Sequence, residues 1–160
     1  MTGASAPRRV LFVCRGNLCR SPMAMAILRH KLTGLVDGLR VRVESAGYFD
    51  WDPFPREAHP FARRAVTELC GLDLLSDHVA RRWSLEMVQR ASSVVVAEEW
   101  MRADFPADRV ATIRELGGGS GDIADPYGCD YPAYVECARE IERLVGAGLP
   151  RLVGFHGELR

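Results

Sequence analysis

The sequence predicts an α/β fold in which a parallel sheet carries helices on both faces. Three observations predict it. Short apolar runs recur at 8–13, 39–45, 92–97 and 110–113, and runs of this length and composition read as strands. Helix-forming segments stand between or after them, at 22–33, 57–70, 84–90 and 131–147. Strands that alternate with helices are joined by crossovers, which makes neighbouring strands parallel and puts helices on the sheet faces. At 160 residues the chain suits a single domain, 1–160, with 1–6 and 151–160 as mobile ends.

Taken in order, residues 8–13 are apolar and bulky enough for a buried strand. The helix over 22–33 opens on Pro22, a residue suited to the first helical position, and continues through strong helix formers. Gly34 and Gly38 bracket a connection. In 39–45, Leu, Val and Val alternate with Arg, Arg and Glu, as in a strand with one wetter face. The segment 47–55 is aromatic and Pro-rich and is read as irregular. Its Tyr48, Phe49, Trp51 and Phe54 either form a binding wall or pack back onto the core.

The helix over 57–70 turns Ala62, Ala65, Val66 and Leu69 to one face and stops at Gly71. Residues 72–83 connect. Ser84 is placed to cap a short helix through residue 90. A buried strand (92–97), a short helix (98–104) and a fourth strand (110–113) follow. The Gly/Ser-rich stretch 117–121 leads into Asp122, Asp125-Pro126-Tyr127-Gly128 and Asp130. An amphipathic helix over 131–147 presents Tyr134, Ala138, Ile141, Leu144 and Val145 on one face. The tail, 148–160, is weakly patterned.

Composition excludes several classes. Lys+Arg and Asp+Glu balance at 21 each, so no basic field points to nucleic acid. No apolar stretch reaches membrane length, and none resembles a signal peptide. The 5 cysteines (Cys14, Cys19, Cys70, Cys129 and Cys137) are odd in number and form no C-x-x-C pair. They read as reduced thiols of a cytoplasmic protein, not as a secreted disulfide framework or a zinc site. His30, His59 and His156 lack a second ligand at helical spacing, so no metal is expected. Nothing calls for a cofactor.

Chemistry concentrates in Cys14-Arg15-Gly16-Asn17-Leu18-Cys19-Arg20-Ser21-Pro22. Cys14 closes the first strand. Gly16 and Asn17 tolerate positive φ, so the turn can aim successive N–H groups inward as a nest. The helix that follows adds its positive end and its unpaired N–H groups. Arg20 can grip two oxygens of a tetrahedral anion. Such a cradle suits phosphate or another oxyanion, and its field favours the thiolate of a cysteine at its floor. Ser21 can donate a hydrogen bond to that sulfur. A displacement at phosphorus also needs an acid for the leaving group. Asp125 is the best-placed candidate, with Asp122 and Asp130 as competitors.

This loop resembles the phosphate loop of the low-molecular-weight protein tyrosine phosphatases, and Asp125-Pro126-Tyr127 resembles that family's general-acid motif. Glu44-Ser45-Ala46-Gly47 and the segment 71–81, with His78, are similar to its middle motifs. The resemblance runs from about Arg9 to Leu149. It implies a four-stranded parallel sheet in a Rossmann-like three-layer fold, no metal, and hydrolysis of protein phosphotyrosine through a phosphocysteine intermediate. Cys14 is then the nucleophile, Arg20 the phosphate clamp and Asp125 the general acid and base. The loop from Arg15 to Cys19 holds phosphate and Ser21 assists the sulfur. Asn17 supports the loop, helped by Ser45 and His78, while Tyr127 and Trp51 line the cleft. The resemblance also implies a protective Cys14–Cys19 disulfide under oxidation.

The sequence departs from the family pattern at Gly128, where many members carry a second tyrosine, and at Phe61, where an Arg is common. Leu18 stands where tyrosine phosphatases usually have an aliphatic residue and the related protein-arginine phosphatases a Thr. An arsenate reductase on the same scaffold is an alternative, but its relay thiols would be expected near 80–90, where this chain has no cysteine.

Overall fold

The computed structural model describes residues 6–35, 40–50 and 55–154. Four parallel strands form one sheet in the order β2-β1-β3-β4. They are β1 (Arg8–Cys14), β2 (Val41–Gly47), β3 (Ser93–Val96) and β4 (Val110–Thr112). The helices are α1 (Arg20–Leu32), α2 (Pro60–Cys70), α3 (Leu85–Arg90), α4 (Ile113–Leu116), α5 (Tyr131–Ala147) and α6 (Leu149–Leu152). A 3-10 helix spans Glu99–Asp104.

β1 is paired on both sides and buried on both faces, which explains its unbroken apolar run. Val10 and Phe12 enter one core with Met23 and Ile27 of α1, Val66 of α2 and Ile141 of α5. Leu11 and Val13 enter a second core with Met87 and Val88 of α3 and Met101 of the 3-10 helix. Each fully buried side chain of this size contributes about 1.5–3 kcal/mol. Because β1 has β2 on one side and β3 on the other, the connections diverge at its carboxyl end. Open α/β sheets bind ligands at that crevice, and Cys14 and Glu98 lie there.

Several boundaries differ from expectation. The helix expected over 57–70 begins at Pro60, because the His59 side chain accepts the Phe61 N–H and caps it. Its inner face is Ala62, Ala65 and Val66, with Leu69 only partly buried. The strand expected over 110–113 stops at Thr112, whose hydroxyl caps the four-residue α4 that the sequence reading missed. The tail is not wholly unpatterned: α6 buries Leu152, and the Arg8 guanidinium donates to its carbonyl. Residues 1–5 and 155–160, Leu39, Gly38, Trp51 and Phe54 lie outside the described residues. Among the described residues, no helix is long and apolar enough to cross a membrane.

Candidate active site

The loop between β1 and α1 is held open by its neighbours. Asn17 has φ +59°, and among the described residues it is the one non-glycine with positive φ. It is fully buried, and its side chain explains why the conformation persists. Nδ2 donates to Ser21 Oγ at 2.8 Å and Ser45 Oγ at 2.9 Å, while Oδ1 accepts the Arg81 N–H at 3.1 Å. His78 Nε2 donates to the Asn17 carbonyl at 2.9 Å. Burial lowers the His78 pKa, which keeps the ring neutral with its proton on Nε2. Ser45 and His78 thus both bond Asn17, one at its side chain and the other at its carbonyl.

The loop also needs room beneath it. A Cβ on Gly47, at the end of β2, would lie 3.0 Å from the Gly16 carbonyl carbon and 3.0 Å from the Phe49 oxygen. Among the described residues, the backbone N–H groups from Gly16 through Arg20 donate to no other backbone carbonyl. They are donors for an anion. Cys14, 3% exposed, lies 2.9 Å from Ser21 Oγ. Asn17 already donates to that oxygen, so the hydroxyl proton is left for the sulfur or for the Ala46 carbonyl at 3.3 Å.

Arg20 is 1% exposed and highly constrained. Nη1 donates to the Ile123 carbonyl at 2.6 Å and Nη2 to Glu98 Oε2 at 2.8 Å. Its Nε is buried without a partner, a donor turned to no other protein group. Asp125 Oδ2 stands 3.4 Å from Arg20 Nη2, and Asp125 Oδ1 accepts the Tyr127 N–H at 3.1 Å. The two competitors are placed elsewhere. Asp122 accepts the Glu99 N–H at 2.7 Å and anchors the loop, and Asp130 precedes α5 as its N-cap residue. Gly128 also finds its reason here. The Cys129 N–H bonds the Pro126 carbonyl across a turn in which Gly128 has φ +84°.

A cavity of about 260 Å³ is lined by Cys14, Arg15, Gly16, Leu18, Cys19, Arg20, Asp125 and Tyr127. Tyr127 forms an exposed wall. Of the aromatic loop, Tyr48 packs edge-on to Trp100 at 4.8 Å and Phe49 lies 5.8 Å from it. Tyr48 therefore folds back onto Trp100 and the second core, whereas Phe49 stays exposed. Cys19 donates to the Tyr134 hydroxyl at 3.6 Å, and burial pushes its thiol up to about 12. Among the described residues, no three His, Cys, Asp or Glu side chains converge as a metal site would need.

Sequence reasoning missed Glu98. Its carboxylate takes Arg15 through two bonds (2.7 and 2.9 Å), Arg20 at 2.8 Å and Trp100 Nε1 at 3.1 Å. Burial works against its charge, yet these hydrogen bonds win and bring its pKa down to about 2. The available signal was its position, two residues past the end of β3 and beside the crevice. A depressed carboxyl contributes stability that is complete above its ordinary value of 4.5 and is lost as pH falls through about 2. The shift corresponds to about 3 kcal/mol. Glu98→Gln is expected to lower the urea-unfolding free energy by about 3 kcal/mol at pH 7, because it takes from the buried Arg20 the closer of its two carboxylate partners and leaves only Asp125, at 3.4 Å. It should also flatten the wild-type loss of stability across the interval from 4.5 down to about 2. Equal acid sensitivity in the two proteins would refute this role.

Comparison with known proteins agrees with this geometry. The family model for low molecular weight phosphotyrosine protein phosphatases matches residues 9–152. A probable low molecular weight protein-tyrosine-phosphatase, EpsP, of Ralstonia nicotianae is 34% identical over 149 residues, covering 91% of this chain and 96% of its own. A protein-arginine-phosphatase of Geobacillus stearothermophilus is 33% identical over 147 residues, covering 87% and 92%. The crystal structure of a low molecular weight protein tyrosine phosphatase from T. tengcongensis superposes with a TM-score of 0.78 at 34% identity, over 90% of this chain and 99% of that one. A thiol-floored anion cradle on this sheet and a match spanning nearly the whole chain lead to one conclusion: the chain belongs to the low molecular weight phosphotyrosine protein phosphatase family.

Proposed function

We propose that the protein hydrolyses phosphotyrosine in proteins through a phosphocysteine intermediate. The observation that carries this reading is the convergence of Cys14, Arg20 and Asp125 on one cavity that Gly16, Leu18 and Cys19 of the same loop also line. Cys14 Sγ attacks phosphorus, the phosphorus–oxygen bond to tyrosine breaks, and Asp125 gives its proton to the departing oxygen. Asp125 then takes a proton from water as that water attacks phosphorus. The sulfur–phosphorus bond breaks and inorganic phosphate leaves. Arg20 Nε and the loop N–H groups hold the equatorial oxygens throughout. The free thiol fits a reducing compartment such as the cytoplasm.

Leu18 and Tyr127 give the slot apolar and aromatic walls suited to a phenyl ring. The likeness to a protein-arginine-phosphatase supports phosphoarginine as a second reading, but Leu18 offers no polar side chain to a guanidinium. Relay chemistry of the arsenate reductase type is disfavoured by Cys137, which is buried and has its thiol pushed up to about 12 by that burial. The test is one peptide sequence carrying phosphotyrosine, phosphoserine or phosphoarginine, with Cys14→Ser as the control. The phosphotyrosine form is expected to have the highest kcat/KM, by about tenfold or more. A preference for phosphoarginine would replace the first reading with the second.

A further inference from the structure

His59 caps α2, and as an isolated histidine it would have no further role. Its surroundings give it one. The ring stacks on Tyr134 with centroids 4.8 Å apart and planes at 19°, and Phe61 packs beside it at 5.4 Å. Tyr134 is fully buried and bonded to Cys19 of the phosphate loop, so this stack has a fixed base. The His59 N–H donates to the Leu18 carbonyl at 2.9 Å, tying the residue to the phosphate loop a second time.

Nδ1 accepts the Phe61 N–H at 3.1 Å, which assigns the ring proton to Nε2. Burial lowers the His59 pKa and keeps that neutral form. The ring also meets Tyr127 edge-on, at 5.9 Å and 79°. Among the described residues this is the ring contact that Tyr127 makes, although Tyr127 is 58% exposed. The Tyr127 N–H in turn holds Asp125 Oδ1.

A rigid stack therefore runs from the phosphate loop through Tyr134 and His59 to an otherwise exposed wall of the slot. We infer that His59 is a positioning residue that sets the Tyr127 wall against the aryl ring of the substrate. The inference rests on the phosphotyrosine reading above. It makes the stack, separately from the cradle, a determinant of preference for aryl phosphates. An edge-to-face aromatic pair contributes about 0.5–1.5 kcal/mol beyond its buried area, which converts to about 2–12-fold in affinity.

Two variants separate this role from the helix cap. His59→Phe keeps a ring and loses the acceptor. His59→Asn keeps a capping oxygen and loses the ring. Each removes one support, so both are expected to lower Tm by about 2–4 °C. Calorimetry with benzylphosphonate, a non-hydrolysable probe, and with inorganic phosphate reads the wall and the cradle separately. Wild type and His59→Phe should bind benzylphosphonate alike within about twofold, while His59→Asn should bind it about fivefold more weakly. Phosphate affinity should be unchanged in both. The inference is overturned if benzylphosphonate affinity falls in both variants or in neither, or if phosphate affinity falls with it. Hydrolysis of a phosphotyrosine peptide by the wild type is scored in parallel. Its absence would overturn the phosphatase reading without touching the binding comparison.

Discussion

Cys14→Ser is expected to lower turnover of any phosphate ester by about 10⁵-fold or more while leaving inorganic phosphate affinity within about threefold of wild type. The two halves have separate physical origins. Turnover needs a sulfur that attacks phosphorus and later departs from it, and an alkoxide is both harder to form and a poorer leaving group. In the proposed mechanism phosphate is held by the N–H groups from Gly16 through Arg20 and by Arg20 Nε, which have no protein partner among the described residues and do not involve the Cys14 side chain. The loop also survives the change, because its supports run through Asn17, Ser45 and His78. Serine is smaller than cysteine, so nothing is forced apart around a residue that is 3% exposed. Rapid-quench assay of turnover and calorimetric titration with phosphate measure the two quantities. Retained turnover would refute the nucleophile, and lost phosphate binding would refute the independence of the cradle from its floor.

What could be read from the sequence was what lies close together in it. Strand, turn and helix from Arg8 to Leu32 form a local unit, and the residues that shape its turn are adjacent to the residues that use it. Asp125 could be ranked ahead of Asp122 and Asp130 from the residues, but what takes up the two competitors could not be read. That depends on Glu99 taking up Asp122 and on α5 beginning after Asp130. Glu98 was hidden for the same reason. Its meaning lies in Arg15 and Arg20, which reach it only when β1 and β3 pair. The contacts of His59 could not be read either, because its neighbours Leu18, Tyr127 and Tyr134 come from three other parts of the chain. Tyr48 and Phe49 had two readings: Tyr48 packs on Trp100 and the second core, whereas Phe49, beside Trp100, stays exposed.

Asp125→Asn separates proton transfer from position. The amide oxygen can still accept the Tyr127 N–H that now bonds Asp125 Oδ1, so the turn is kept and only the transferable proton is lost. Release of a poor leaving group such as the phenoxide of tyrosine is then expected to slow by about 10²–10⁴-fold. With p-nitrophenyl phosphate, whose departing oxygen needs little help, that first step should slow by about tenfold or less. The second step loses its base with either substrate. Phosphocysteine should therefore accumulate with p-nitrophenyl phosphate, and stopped flow should show a burst of p-nitrophenolate followed by a slow steady state. The effect reports on protonation and not on the charge beside Arg20, because the buried guanidinium keeps Glu98 Oε2 at 2.8 Å as its partner. Equal slowing of the first step with both esters would remove Asp125 as the acid. A steady state as fast as wild type, with no burst, would remove it as the base.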